Sequence, residues 1–159
     1  RSYRNTGRAT EAWLSHTRLG YNYRMTDLQA ALGLSQLQRL DQYVAKRHAI
    51  AQRYQTLLAA LPVTVPHPFA DSFSALHLFP VCVENRAEGF AALRATKIGV
   101  NVHYIPVHTQ PYYLGLGFHH GQFPQAEYYY ARAISLPMYP TLTDAEQDEV
   151  VNQLRAALA

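Results

Sequence analysis

The sequence has little of what several classes of protein require. Its single cysteine, Cys82, cannot form a disulfide within the chain, so a reducing, cytoplasmic setting fits best and Cys82 is expected to be a small buried side chain. No apolar stretch is long enough to span a bilayer, and no signal-peptide pattern is present. The formal net charge of +3 is small, and the arginines are scattered along predicted helices, which argues against a nucleic-acid-binding surface.

The motifs of common catalytic sites are also missing. The sequence has no Gly-rich phosphate loop, Walker motif or G-x-S-x-G elbow. Its two lysines, Lys46 and Lys97, fall in helical patterns beside other polar residues, whereas a nucleophilic lysine is usually buried in a cleft. The carboxylates that we expect on solvated helix faces, rather than in an acid–base pair, are Glu127, Glu146, Asp148 and Glu149. The chain alone therefore offers no complete catalytic site.

What the chain does have is enough apolar sequence for a core. It contains 159 residues, of which 48% are apolar, and this is the size of one ordinary domain. Tyrosine is abundant, with twelve copies. The first residue is Arg1 rather than methionine, and we expect the chain to be part of a longer protein.

A long helical pattern begins at a recognisable N-terminal cap. Thr26 followed three residues later by Gln29 is a capping box. An apolar stripe at roughly helical spacing then continues to about Leu61, where the prolines of LPVTVPHPF disfavour helix. Because this is too long for one typical globular helix, we expect a bend near Gly33–Ser35 or Leu40–Asp41.

Short strand and helix patterns alternate in the next part of the chain. Strands are predicted over Ser74–Val83 and Val100–Tyr104. Between them, Asn85 can cap a helix that runs to about Lys97, and Ile98-Gly99 makes the turn.

A long loop rich in Pro, Tyr, His and Gly precedes two further helices. The first is predicted over FPQAEYYYARAI, and the second opens with a capping box at Thr143 and Glu146 and runs to Leu158. The order of elements predicts a small α/β or α+β domain, with a long helix and a short sheet flanked by helices.

Asn22 and Arg24 lie immediately before the first helix, in LGYNYRMTDLQAALG. A helix N-terminus carries free amide groups and a positive potential, and it binds anions such as phosphate. Arg24 adds a planar fork of donors and Asn22 adds an uncharged amide donor. The alternative is local: Asn22 in a turn, and Arg24 paired with Asp27 or with water. The residues alone favour this alternative, because anion sites are far fewer than helix starts.

A second polar cluster is VNVHYIPVHTQPYY, from Val100 to Tyr113. Strand alternation places Asn101 and His103 on one face. The other face carries Val100, Val102 and Tyr104. An aromatic and histidine-rich loop at the end of a strand suits a polar organic ligand such as a sugar or nucleotide. The alternative is a loop whose tyrosines simply pack on the domain.

A metal site around His103 and His108 is a further hypothesis. The two histidines are five residues apart, but no third ligand or carboxylate is spaced to complete a site. His119 and His120 are adjacent and are expected to face solvent. Metal is therefore the weakest of these interpretations.

Three long motifs, in this order, resemble one known family. They are LGYNYRMTDLQAALGLSQLQRLD, GVNVHYIPVHTQPYY and FPQAEYYYARAISLPMYPTLTDAEQDEVV, and RSYRNTGR resembles a short arginine-rich segment of the same family. They cover almost the whole chain and are similar to the C-terminal part of the DegT/DnrJ/EryC1/StrS sugar-nucleotide aminotransferases. Within this family, VHYIPVH, QPYY and ISLPMYP most resemble the transaminases that form UDP-4-amino-4,6-dideoxy-N-acetyl-β-L-altrosamine, a step toward pseudaminic acid.

The resemblance implies a fold-type-I enzyme that depends on pyridoxal 5′-phosphate (PLP) and is an obligate homodimer with active sites at the interface. L-glutamate would give its amino group to a 4-keto nucleotide sugar. Residues 1–25 would be the end of the large PLP-binding domain, 26–60 a long connecting helix, and 61–159 the small C-terminal α/β domain. The catalytic lysine matches nothing in this sequence.

The resemblance also implies roles for particular residues. Asn22, in the family's G-x-N-x-R stretch, would reach the PLP phosphate of the neighbouring subunit, and Arg24 is a weaker candidate. The expected substrate contacts are Asn101, Val102, His103 and Tyr104, with His108, Tyr112 and Tyr113 as rim contacts. A function of another class stays open, namely a stand-alone domain that binds a nucleotide sugar or a protein without catalysis.

Overall fold

A computed structural model describes residues 4, 6, 7, 16, 18–67 and 71–158 of the chain. These residues form two compact units, Arg1–Asp41 and Gln42–Ala159. Most of the arginine-rich segment RSYRNTGR and of the following EAWLSHTRLG lies outside the described residues. The predicted domain boundaries at residues 25 and 60 stay a prediction.

The predicted capping box opens helix α1, which spans Asp27–Leu37. Thr26 Oγ1 accepts a hydrogen bond from the Gln29 amide at 3.3 Å, and Gln29 Oε1 accepts one from the Thr26 amide at 3.0 Å. Helix α1 buries none of its residues, although its apolar stripe is present. Leu28, for example, is 85% exposed.

The long helical pattern is interrupted between α1 and α2. Helix α2 spans Leu40–Leu58, and a turn at Gln38–Arg39 precedes it. The interruption therefore falls just before the second of the two predicted positions. Gly33, at the first position, lies inside α1.

The sheet of the second unit consists of two antiparallel strands. Strand β1 (Phe79–Cys82) pairs with β2 (Ala133–Leu136), with Val81 opposite Ile134. A single bridge from Thr64 to Cys82 extends the sheet on one side, and a single bridge from Asn101 to Ser135 extends it on the other. The side chain of Cys82 is half-buried, and this desolvation raises the pKa of its thiol.

Strand β1 is shorter than the predicted strand Ser74–Val83. The preceding carbonyls are bound by a side chain rather than by a neighbouring strand, because Arg47 Nη1 donates to the carbonyl oxygens of Leu76 (3.2 Å) and His77 (3.3 Å). The same nitrogen donates to the carbonyl of Met138 at 2.9 Å. Arg47 thus fixes the entry to β1 against the segment that follows β2.

The prediction of a second strand over Val100–Tyr104 is wrong. Only Asn101 pairs with a strand there, and the Val102 amide donates to the Asn101 Oδ1 atom at 2.8 Å instead of to a strand. The second strand is β2, which the sequence analysis had assigned in part to a helix. That helix, α5, spans Pro124–Arg132 and ends two residues earlier than FPQAEYYYARAI predicts.

The remaining helices follow the predicted order. Helix α3 spans Arg86–Ala95, and the Asn85 side chain before it makes no capping hydrogen bond. The long loop contains a 3₁₀ turn over Val107–Thr109 and a short helix, α4, over Pro111–Leu114. The last helix, α6, spans Asp144–Ala157.

The core of the second unit lies where α2, α3 and α6 meet the sheet. Tyr54 of α2 is fully buried, stacks on Phe79 with ring centroids 5.1 Å apart, and donates its hydroxyl to the Pro137 carbonyl at 3.1 Å. Gln147 of α6 is also buried and donates to the Ile50 carbonyl at 3.0 Å. Tyr54 and Gln147 thus each have a hydrogen-bond partner, as burial of a polar group requires. Among the described residues, no helix is both long enough and apolar enough to cross a membrane.

Helix α3 ends in a Schellman motif that places a lysine where glycine is usual. The Ile98 amide donates to the Leu93 carbonyl, and the Lys97 amide to the Arg94 carbonyl, both at 3.0 Å. Lys97 adopts a φ of 65°, in the left-handed region that disfavours a residue with a Cβ. Lys97, rather than the predicted Ile98-Gly99 pair, therefore makes the turn.

We expect Lys97→Gly to raise the free energy of unfolding by about 1 kcal/mol, because glycine adopts a positive φ without the steric clash of a Cβ. Urea unfolding followed by circular dichroism measures the change. Lys97→Ala is the matched control, since it removes the ammonium group but keeps a Cβ at the same backbone position. Equal stabilisation by alanine would contradict a backbone origin.

We expect Thr143→Ala to lower the free energy of unfolding by about 1 kcal/mol, because Thr143 Oγ1 accepts from the Glu146 amide at 3.2 Å and caps α6. Hydrogen bonds from the Thr143 amide and then from its hydroxyl lower the pKa of the Glu146 carboxyl, and alanine removes only the second of them. The contribution of this carboxylate is present above the ordinary glutamate pKa and is lost as the pH falls through the lowered value. Thermal unfolding across that range should show the deficit of the variant shrinking in acid, whereas Thr141→Ala, which removes no cap, should stay close to wild type throughout.

Candidate functional site

The segment before α1 places Asn22 and Arg24 side by side on an extended chain. The rings of Tyr21 and Tyr23 stack with centroids 5.0 Å apart, so these two side chains share one side of the segment. Because side chains alternate along an extended chain, Asn22 and Arg24 belong to the other side. Both residues are exposed.

The N-terminus of α1 retains donors for an anion. The capping box satisfies the Gln29 amide, and within the described residues no acceptor is present for the amides of Asp27 and Leu28. Arg24 and Asp27, both described, form no ion pair, so the local alternative for Arg24 is reduced to solvation. The chemistry of these donors suits a phosphate group.

Asn101 and His103 lie on the wall of a cavity of about 520 Å³ in the second unit. The imidazole Nδ1 atom of His103 lies 2.8 Å from the Ser135 Oγ atom of β2, which fixes the ring. Asn101 uses its Oδ1 atom to accept from the Val102 amide, so its Nδ2 atom remains as a donor. The structure thus brings two of the predicted substrate contacts together at one cavity.

The rest of the cavity wall is mainly apolar, with a few charged groups. The apolar part includes Leu78, Ile98, Leu136, Met138, Leu142 and Val150. Glu146 also lines the cavity, but its carboxylate caps α6 and accepts from the Tyr139 hydroxyl at 3.4 Å. Burial, followed by this carboxylate, raises the pKa of Tyr139. An apolar cavity with a few convergent polar groups is the usual form of a small-molecule site.

Val102 and Tyr104 are not on this wall. Val102 is half-buried, and Tyr104 is 68% exposed, with its ring edge-on to His103 at a centroid distance of 4.6 Å. Tyr104 therefore extends from the cavity rim into solvent in this chain.

His108 and Tyr113 lie farther along the loop, beside a smaller cavity of about 330 Å³. His108 is only 7% exposed, and its Nε2 atom lies 2.8 Å from the Glu127 Oε1 atom. Tyr113 lines the same small cavity, while Tyr112 is 72% exposed. The predicted substrate contacts are thus divided between two cavities and the loop surface.

Two of the four carboxylates that we expected on solvated helix faces bind side chains of other elements. Glu127 binds His108, and Asp148 accepts from Arg53 Nη2 through both oxygens, at 2.9 and 3.0 Å. The expectation of a solvated face is wrong for Glu127, which meets His108 across the loop, whereas the Asp148 side chain remains 48% exposed beside Arg53.

Two functional candidates were missed by the sequence analysis, Ser135 and Glu127. A lone serine within the buried strand AISL is a signal for a polar partner, since buried hydroxyls are normally hydrogen-bonded. No local pattern marks Glu127, because its partner lies across a loop. In the part of the chain that the structure describes, no group of three His, Cys, Asp or Glu side chains could hold a metal, and His103 and His108 have different partners.

Comparisons with known proteins give a consistent result. The model of the DegT/DnrJ/EryC1/StrS aminotransferase family matches residues 1–155. The spore coat polysaccharide biosynthesis protein SpsC of Bacillus subtilis is 42% identical over 145 residues, which are 86% of this chain and 37% of SpsC.

Solved structures of aminotransferases match the fold closely. DesV of S. venezuelae, in complex with a ketimine intermediate, superimposes with a TM-score of 0.90 at 34% identity and covers 98% of this chain and 42% of DesV. Helicobacter pylori PseC, an aminotransferase involved in the biosynthesis of pseudoaminic acid, gives a TM-score of 0.86 at 25% identity, covering 99% of this chain and 43% of PseC.

The chain spans about two fifths of the length of the relatives it matches. The predicted fold class, a long helical segment with a short sheet and flanking helices from a fold-type-I enzyme, is confirmed by these superpositions. Since the family model matches nearly every residue from Arg1 onward, this chain belongs to the DegT/DnrJ/EryC1/StrS aminotransferase family.

Proposed function

We propose that the chain is the C-terminal portion of a cytoplasmic, PLP-dependent enzyme that transfers an amino group from L-glutamate to a 4-keto nucleotide sugar. The preferred substrate is a UDP-linked 4-keto-6-deoxy-N-acetylhexosamine, and the product is UDP-4-amino-4,6-dideoxy-N-acetyl-β-L-altrosamine. Family membership supports the amino transfer. The motifs VHYIPVH and ISLPMYP, with the likeness to PseC, support the sugar.

The observation that carries the proposal is the cavity of about 520 Å³ with Asn101 and His103 on its wall. Its volume suits a ligand of sugar-nucleotide size, and its apolar lining leaves orientation to a few donors. Asn101 Nδ2 and the imidazole of His103, held by Ser135, supply such donors for hydroxyl, carbonyl or phosphate oxygens. Tyr104 and Tyr113 would add contacts from the exposed loop.

Pyridoxal 5′-phosphate is the cofactor of this family. The Asn22 carboxamide, the Arg24 guanidinium and the first amides of α1 fit its phosphate, which they would hold by charge and hydrogen bonding. When bound, the cofactor carries the amino group between donor and acceptor. Lys46 and Lys97 are both exposed, so we assign neither of them to the cofactor.

A homodimer with shared active sites is part of the proposal. The first unit exposes a set of large apolar side chains: Leu19, Tyr21, Tyr23, Met25, Leu28, Leu32, Leu34 and Leu37. Such a surface is typical of an interface rather than of a free domain face. We expect the preceding large domain and the partner subunit to pack against this surface. Trp13 lies outside the described residues.

The test uses the gene product that carries this chain, supplied with PLP, a 4-keto UDP-sugar and ¹⁵N-labelled L-glutamate. Mass spectrometry should detect one ¹⁵N atom in the sugar nucleotide. Binding of the UDP-sugar without transfer of nitrogen would contradict the enzyme and support the stand-alone binding domain.

We expect Asn101→Ala to raise KM for the nucleotide sugar about ten-fold, the size of one lost hydrogen bond to a charged or strongly polar group. The KM for L-glutamate should change little, and initial-rate kinetics measure both. Asn85→Ala is the control, because the Asn85 side chain makes no capping bond. An unchanged KM for the nucleotide sugar in Asn101→Ala would argue against this cavity as the substrate site.

We expect Asn22→Ala to weaken PLP binding about ten-fold by removing a phosphate donor. Titration of the apoprotein followed by cofactor absorbance gives the dissociation constant. Asn152→Ala, an exposed change on α6, should leave it unchanged. Equal cofactor affinity in wild type and Asn22→Ala would remove Asn22 from the cofactor site.

A further inference from the structure

The histidine that the sequence analysis assigned to the substrate rim has another partner. His108 is 7% exposed, and its ring packs edge-on against Phe123 at 4.9 Å. Its Nε2 atom lies 2.8 Å from Glu127 Oε1. An ionised carboxylate only accepts, so Nε2 carries the proton and donates it. The imidazole is therefore directed into the protein, toward α5.

Glu127 is held in place by more than His108. Its Oε1 atom also accepts from the Gly121 amide at 2.7 Å, where Gly121 has a φ of 84° that only glycine adopts readily. His120 Nδ1 lies 3.9 Å from Glu127 Oε2. The hydrogen bond from His108, ahead of that from Gly121, lowers the pKa of the Glu127 carboxyl. The carboxylate thus joins two points of the loop to α5.

The same loop is fixed at its other end. His103 Nδ1 lies 2.8 Å from Ser135 Oγ in β2, and β2 follows α5 without a break. Both histidines are therefore attached to one continuous helix–strand segment. Of the four residues between these attachments, Pro106 is buried and the other three are exposed: Tyr104 by 68%, Ile105 by 47% and Val107 by 61%.

We propose that His108 and Glu127 form a positioning pair that, with His103 and Ser135, holds the segment Tyr104–Val107 in its ligand-binding conformation. This inference rests on the proposed function, because the ligand is the nucleotide sugar of that site. It reassigns His108 from substrate contact to support, and gives Glu127 a role in the same site. Neither side chain touches the substrate.

The pair can affect ligand binding without touching the ligand because ordering a loop costs conformational entropy. Fixing the backbone of one residue costs roughly 1–2 kcal/mol, so a free segment would weaken binding by the cost of ordering it. A segment held beforehand by paired side chains avoids that cost at the moment of binding. Loss of the pair should therefore weaken binding without removing any direct contact.

The first measurement is backbone hydrogen exchange in the gene product. His108→Phe keeps an aromatic ring against Phe123 but removes the donor, and Glu127→Ala removes the acceptor. Both variants should speed exchange in residues 104–118 by about ten-fold or more, because local opening becomes easier. Glu127→Gln keeps an acceptor oxygen at the same reach and should restore most of the protection.

The second measurement is calorimetric binding of UDP-N-acetylglucosamine, which lacks the keto group and does not react. His108→Phe and Glu127→Ala should each weaken binding about ten-fold, and the double variant should be little worse than either single one. Asp148→Ala is the control, since it breaks the ion pair with Arg53 elsewhere in the unit. It should lower thermal stability but leave both exchange in the loop and binding unchanged.

The outcomes separate this inference from the proposed function. Faster exchange with unchanged binding overturns the positioning role, and so does weaker binding with unchanged exchange, which would indicate direct contact. An equal effect of Asp148→Ala would indicate general destabilisation and also overturn it. The wild-type protein could also bind the UDP-sugar but transfer no nitrogen. If the variants then still show the expected changes in exchange and binding, the positioning pair is supported and the proposed function fails.

Discussion

The pairing of β2 with β1 is the constraint on which the geometry of the second unit depends. It aligns Ser135 opposite Pro80, and the single bridge from Asn101 then attaches the following segment to the outer side of β2. Because Ser135 directs its hydroxyl toward His103, one four-residue strand sets both the backbone at Asn101 and the ring orientation at His103. All four residues of β2 are buried. The strand therefore belongs to the core of the unit, and through Ser135 and Leu136 it also forms part of the wall of the cavity that Asn101 and His103 line.

Local signals in the sequence account for much of the fold. Both capping boxes, at Thr26 and Thr143, were predicted from residue type and spacing alone, because the hydrogen bonds of a cap join residues three positions apart. The strands were harder to locate. The pattern of Val100–Tyr104 is that of a strand, but the Asn101 side chain competes for the Val102 amide, and the true partner of β1 lies directly after a helix without any turn residue.

In the candidate site, too, residues marked by a local pattern could be predicted, whereas partners distant in the sequence could not. Asn101 and His103 could be selected from their polar alternation in an apolar strand pattern. Ser135 and Glu127, which hold the loop, could not be selected in this way. They lie 32 and 19 residues from His103 and His108, the histidines that they bind. The family resemblance supplied Asn22 as a phosphate ligand, and the exposed donors before α1 agree in chemistry. Residue type and spacing alone had favoured the local alternative there.

The state of Cys82 has a practical consequence for the study of this chain. It is the only thiol in the sequence, it lies half-buried in β1, and its raised pKa leaves little thiolate at neutral pH. Maleimides and similar reagents react with the thiolate, so the native cysteine is a slow target. A cysteine introduced on the exposed loop would react first, and a fluorophore or spin label could be attached there without removing the native residue.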